Sequence, residues 1–322
     1  MAKNRKTPSY LQLFEKGILQ QRLTLAREML EKCYICPHNC GINRQKGELG
    51  ICRTGAEARV ASFGAHFGEE SPLVGKNGSG TIFFEGCNLL CVFCQNSDIS
   101  HIDKQGDASS STVDDEHLAS IMLNLQSQGC HNINLVTPSH VVPQFLAALP
   151  IAVEKGLHIP IVYNSSGYDS PETLLLLDNV VDIYMPDCKF WTSKTAKLYT
   201  RAKDYPDVMQ KAIKEMHRQV GDLEIDKNGL AYQGLLVRHL VMPGHIDETR
   251  EILEFLAREI STETYINIMD QYRPCYNADK YDRINRSLST EEYEQAISIA
   301  GENGLQRLDQ REWKKIFRLL GL

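Results

Sequence analysis

Residues 81–96 read TIFFEGCNLLCVFCQN. The first part, TIFFEG (81–86), is a short apolar, β-prone run of the kind that forms a buried strand. It empties directly into Cys87, Cys91 and Cys94, spaced C-x3-C-x2-C. A structural zinc site closes with four ligands, whereas three thiolates on a four-iron cluster leave one iron open to something other than protein. The stretch therefore predicts a strand that delivers a reactive iron–sulfur loop.

The same rhythm of apolar strand, loop and helix continues downstream. Further strands are predicted at INLVT (133–137), IPIVYN (159–164), VDIYMP (181–186), LLVRHLVM (235–242) and YINIMD (265–270). Between them lie helical patterns. One is STVDDEHLASIMLNLQSQG (111–129), with Leu118, Ile121, Met122 and Leu125 on one face and Gly129 as its stop; another is HIDETREILEFLAREI (245–260). The last follows the capping box Ser289-x-x-Glu292. Six strands alternating with helices predict an α/β fold with a parallel sheet joined by right-handed crossovers. Upstream, residues 10–32 have the apolar side of a helix, and 53–80 read as irregular or hairpin-like. The GKNGSG stretch (75–80) reads as a turn, since the Lys-Ser/Thr pair of a phosphate loop is missing.

Sites in such folds form at the carboxyl ends of the strands. Polar residues gather there: Thr137, Ser139 and His140; Asn164, Ser165 and Ser166; Asp187 and Lys189; His245; and Asp270, Gln271, Tyr272 and Arg273. Cys188 and Cys275 share those ends, each either a core residue or a hydrogen-atom donor, and Arg273 suits a carboxylate or phosphate. Cys130, at a helix–strand junction, reads as a small core residue.

The spacing C-x3-C-x-aromatic-C after a first strand, with Phe93 as the aromatic, resembles the signature of the radical S-adenosylmethionine (SAM) superfamily. The stretches CYICPHNCGINRQKGELGIC, FFEGCNLLCVFCQN, MPDCKF, VRHLVMPGH and MDQYRPCYNA, spread over about residues 33–290, resemble the pyruvate formate-lyase-activating-enzyme-related (PflX-like) proteins. The resemblance implies a partial (β/α)6 TIM-type barrel with an N-terminal cysteine-rich extension. Its parts are a helix and metal-binding extension over 1–80, a core over 81–290 and a C-terminal helical segment over 291–322. It also implies a [4Fe–4S] cluster on Cys87, Cys91 and Cys94. SAM would chelate the open iron and be cleaved to a 5′-deoxyadenosyl radical, with an electron from a donor such as flavodoxin or ferredoxin. Phe93, Thr137, Ser139, Asn164, Ser166, Asp187, Lys189 and His239 are the cofactor-binding residues expected on that basis. Many relatives carry Gly-Gly-Glu after the second strand to bind the SAM amino group. Here Val136-Thr137-Pro138-Ser139-His140 stands instead, leaving Thr137 or Ser139 for that hydrogen bond. Asp187-Cys188-Lys189 resembles the Asp-x-Lys of activating enzymes, in which Lys189 pairs with the SAM carboxylate. Two activities follow from the resemblance. One is activation of a glycyl-radical enzyme. The other is small-molecule radical chemistry, a sugar epimerase or carboxylate-modifying enzyme with a cysteine hydrogen donor.

Four more cysteines, Cys33, Cys36, Cys40 and Cys52, fall among the turn-formers Pro37, Asn39, Gly41, Gly47 and Gly50 and suit either structural zinc or an auxiliary iron–sulfur cluster. Ten cysteines in 322 residues, so clustered, speak for metal or redox chemistry in a reducing compartment. A net charge of −6 argues against nucleic acid as partner, and no apolar run is long enough to span a bilayer. The N-terminus lacks the apolar segment of a signal peptide, so a cytoplasmic location is expected. The final stretch LQRLDQREWKKIFRLLGL (305–322) reads as a docked amphipathic helix with one basic face, with membrane-surface binding as the alternative.

Overall fold

The computed structural model describes residues 7–102 and 112–309. Two helices open it, Ser9–Glu15 and Ile18–Glu31, where the apolar pattern predicts one. The break falls at Gly17, whose φ of 68° is left-handed backbone that a continuous helix cannot contain. The 53–80 segment contains β1 (Ala58–His66), antiparallel to β2 (Ser79–Phe84). The GKNGSG stretch turns into β2, with Gly75 and Gly78 at positive φ.

The remaining strands are β3 (Thr112–Val113), β4 (Ile133–Val136), β5 (Ile161–Ser165), β6 (Ile183–Pro186), β7 (Glu224–Ile225), β8 (Ala231–Leu240) and β9 (Tyr265–Met269). The six predicted from sequence, β2, β4, β5, β6, β8 and β9, lie parallel in that order. β3 adds to β1 and β7 to β8, both antiparallel. No pairing joins β2 to β9 among the described residues, so the sheet is open, consistent with a partial barrel. β8 starts four residues before the predicted strand because β7 pairs with its first part.

Alternation along the strands sorts their side chains. Val162, Ile183, Met185 and Leu236 point to one face and form a cluster closed by fully buried Leu73, from the helical turn Ser71–Val74. Burying that leucine contributes about 2 kcal/mol. It plugs the end of the barrel where the strands begin, which leaves the carboxyl ends open. The opposite face, with Ile161, Tyr163, Tyr184 and Val237, packs into the main core with the helices.

The helix predicted from residue 111 begins at Asp115, because Thr112 and Val113 pair with β1 and Asp114 accepts a cap hydrogen bond from the His117 N–H at 2.7 Å. The Ser289/Glu292 capping box is formed on helix Thr290–Glu302. Of the predicted final helix, residues 310–322 lie outside the described residues. Arg307–Asp309 instead run beside β9, exchanging backbone hydrogen bonds with Ile266 at 2.8 and 3.0 Å. No described helix is long and apolar enough to cross a membrane.

Two buried histidines give the fold a pH dependence. Nε2 of His140 lies 2.9 Å from the Glu85 carbonyl, while His239 lies between the Cys188 carbonyl at 2.7 Å and Thr249 Oγ1 at 2.9 Å. Burial pushes both down to about 4. Between there and the unfolded value of about 6.5 the unfolded chain binds more protons, so stability falls as pH falls through that window. Denaturant titrations should lose about 3 kcal/mol per histidine from pH 7 to pH 4. His239→Gln should be less stable at pH 7 but flatter with pH; an unchanged slope refutes the assignment.

Candidate active site

The Cys87–Cys94 loop leaves β2 through Gly86, whose φ is +79°. A Cβ there would meet the Cys52 carbonyl oxygen at 2.2 Å, so only glycine lets the N-terminal extension cross at this point. The loop is then fixed on several sides. Asn88 Nδ2 donates to the Tyr168 carbonyl at 2.8 Å, and Nε2 of His38, from the extension, lies 2.6 Å from the Asn88 carbonyl. The Val92 N–H donates to the Tyr199 carbonyl at 2.9 Å, and the Asn277 N–H to the Val92 carbonyl at 2.9 Å. The Leu89 N–H donates to Cys87 Sγ (3.3 Å), and the Ser100 hydroxyl lies beside Cys94 Sγ (3.2 Å), where either group can donate. Burial raises the thiols of Cys87 and Cys91, so metal binding there has to displace protons. Among the described residues no three His, Cys, Asp or Glu side chains surround a point that could hold one metal ion. Ligands to separate irons of a cluster need no such convergence.

All three cysteines line a cavity of about 170 Å³ at the carboxyl ends of the strands. Thr137, Asn164, Ser166, Asp187 and Lys189 line it with them, and so does Arg238 from β8. Asp187 is held between two cations, Lys189 Nζ at 2.6 Å and Arg238 Nε at 2.7 Å, while Arg238 Nη2 donates to Asn164 Oδ1 at 2.6 Å. Burial opposes the Asp187 charge, but Arg238 and Lys189 outweigh it and hold the carboxyl below its ordinary range. Arg238 is the residue the sequence reading missed. The signal was present: Arg238 stands in an apolar strand two positions after inward-facing Leu236, so alternation aims it inward. Thr137 carries a φ of 57°, a conformation β-branched residues rarely adopt.

The other predicted residues lie elsewhere. Phe93 sits in a buried aromatic group with Phe190, Tyr199 and Tyr272, at centroid distances of 6.0 to 6.5 Å. Cys188, fully buried in the main core, and His239, bonded to Thr249, alternate with inward-facing Asp187 and Arg238 and so face the helices. Ser139 is buried beside Asp169 and Tyr163, off the cavity wall. Arg273 is exposed and Cys275 partly so on the loop after β9, and neither lines the cavity. Cys33, Cys36, Cys40 and Cys52 form a separate group beside the loop.

Residues 81–256 match the radical SAM superfamily domain. The uncharacterized protein MJ0674 of Methanocaldococcus jannaschii is 34% identical over 298 residues, covering 92% of this chain and 82% of that protein. A solved structure titled "Native anSMEcpe with bound AdoMet" superposes with a TM-score of 0.44 at 11% identity. It matches 74% of this chain, which in turn spans only 59% of that one.

The Asp187 cluster makes a direct energetic prediction. Removing one member of this buried group leaves the others incompletely paired, so Arg238→Met and Asp187→Asn should each cost about 3 kcal/mol in urea unfolding. Their double variant should cost clearly less than the sum; strict additivity contradicts the coupling.

Proposed function

The chain belongs to the radical SAM superfamily, and from that premise we propose that it cleaves SAM in the cavity behind Cys87, Cys91 and Cys94 in order to take a hydrogen atom from a glycine of a partner enzyme. That it is an enzyme of the radical SAM type follows from the family. The observation that carries the site assignment is the single cavity wall shared by the three cysteines and the Asp187–Lys189–Arg238 cluster. When bound, a [4Fe–4S] cluster and SAM supply a one-electron cleavage that yields methionine and a 5′-deoxyadenosyl radical.

The residues fit these groups. Cys87, Cys91 and Cys94 offer three thiolates, with the Leu89 N–H and Ser100 hydroxyl placed to support the charge on sulfur. Lys189 has three donors, one committed to Asp187, leaving two for the carboxylate of an amino-acid ligand. Two cations face one carboxylate at this wall, which favours an incoming anion. Asn164, Ser166 and Thr137 supply uncharged hydrogen-bonding groups for an amino group and a ribose. Walls of Phe83, Phe84, Leu89 and Val136 exclude water from a reactive species.

Glycine activation rests on the MPDCKF and VRHLVMPGH resemblances. Against the small-molecule alternative stands the burial of the Cys188 thiol in the main core, away from the cavity. A reduced flavodoxin- or ferredoxin-type donor would supply the electron.

Anaerobically reconstituted protein given dithionite and SAM should release 5′-deoxyadenosine. Cys87→Ala, Cys91→Ala and Cys94→Ala should each abolish that release, and retention in any one refutes the cluster assignment. Lys189→Ala should raise the Kd for SAM roughly tenfold or more, as loss of a charge-assisted contact implies. With a glycyl-radical enzyme present, electron paramagnetic resonance should show a glycyl radical that survives Cys188→Ser and Cys275→Ser. Substrate-radical accumulation in either variant would favour the small-molecule reading.

A further inference from the structure

Outside the cavity, the most unusual charge is Arg44. Its side chain is 1% exposed, and among the described residues no carboxylate pairs with it. Its guanidinium donates to neutral carbonyls, to Thr54 at 2.8 Å and to His140 at 2.9 and 3.0 Å. What flanks it otherwise is sulfur: Nη1 lies 4.0 Å from Cys33 Sγ and Nη2 lies 3.9 Å from Cys52 Sγ. A buried guanidinium cannot shed its proton, so it calls for a buried anion. Neutral thiols do not meet that demand; thiolates do.

We propose that Cys33, Cys36, Cys40 and Cys52 hold a second, four-thiolate metal centre, and that Arg44 is the positioning residue that balances its negative charge. Four thiolates around a divalent zinc ion or a doubly charged [4Fe–4S] core leave a dianion, and one guanidinium against its edge offsets half of it. The four thiols lie within electrostatic reach of one another. Backbone bonds shape their loop into a clasp: the Cys33 N–H donates to the Ile42 carbonyl at 2.7 Å and the Gly41 N–H to the Cys33 carbonyl at 2.9 Å. Gly50 packs its Cα against Cys40, where a Cβ would come within 2.9 Å of sulfur. The four sulfurs do not surround one point as a single zinc ion requires, so zinc needs them to draw in, whereas a cluster spreads its ligands over separate irons.

The same residues tie this centre to the SAM cavity. Arg44 grips the carbonyl of His140, which ends the turn that starts at Thr137 on the cavity wall. His38, between Cys36 and Cys40, grips the Asn88 carbonyl between Cys87 and Cys91. Loss of the second centre should therefore loosen the first loop as well.

The test uses the full chain carrying Cys87→Ala, Cys91→Ala and Cys94→Ala, so that any remaining metal belongs to the second site and the outcome is independent of the cavity's function. After anaerobic purification this variant should retain either iron with matching sulfide or one zinc per chain. The first names an iron–sulfur cluster, the second a zinc site, and both support a four-thiolate centre. Adding Cys40→Ala should remove that metal. Arg44→Met should release it to a chelator at least tenfold faster, with Arg44→Lys intermediate. Circular dichroism confirms folding in each variant. A folded triple variant without metal overturns the proposal, as does an Arg44→Met variant that releases metal at the parent rate.

Discussion

A carboxylate buried at the end of β6 must be met by cations or give up its charge, and Asp187 is met by two. That requirement fixes more than one side chain. Arg238 reaches Asp187 from β8 while also holding Asn164 of β5, so one ionic group sets the relative positions of three strand ends. Tyr205 secures the same corner from the helix layer, donating to the Asp187 and Ser166 carbonyls at 2.9 Å and accepting from the Lys189 N–H at 3.0 Å. Leu73 and its apolar neighbours fill the barrel below. The cavity above is left unfilled by the described side chains, and charged and cysteine side chains stand together on its wall.

The N-terminal extension braces the loops behind that wall rather than hanging free of it. Cys52 presses its carbonyl on Gly86, His38 reaches the Asn88 carbonyl, and Arg44 reaches the His140 carbonyl. These contacts converge on the cysteine loop after β2 and on the turn after β4. The strained φ of Thr137 lies inside this supported region, which is where such strain is normally sustained.

Much of this was legible in the sequence because it is local. The C-x3-C-x2-C loop, the six parallel strands and the Ser289/Glu292 box each depend on residues a few positions apart. Alternation could have gone further. Once Asp187 is placed in the cavity, the period of two turns Cys188 outward and Lys189 inward, and Arg238 inward turns His239 outward. Reading every residue at a strand end as a site residue overlooked that parity. What no local pattern carried is tertiary: the Arg44 guanidinium between two thiols, His38 on the cysteine loop, and the aromatic group that takes Phe93 away from the cavity. Gly17 is the opposite case, a helix breaker visible in the sequence but outweighed there by the apolar pattern around it.

In the proposed reading, three cysteines leave one iron open for SAM inside this cavity. Electron paramagnetic resonance of the dithionite-reduced protein, recorded before and after SAM is added, tests this. The g values of the reduced-cluster signal should shift on adding SAM, and that SAM-responsive signal should be lost in Cys94→Ala. A cluster signal with identical g values at saturating SAM would rule the reading out.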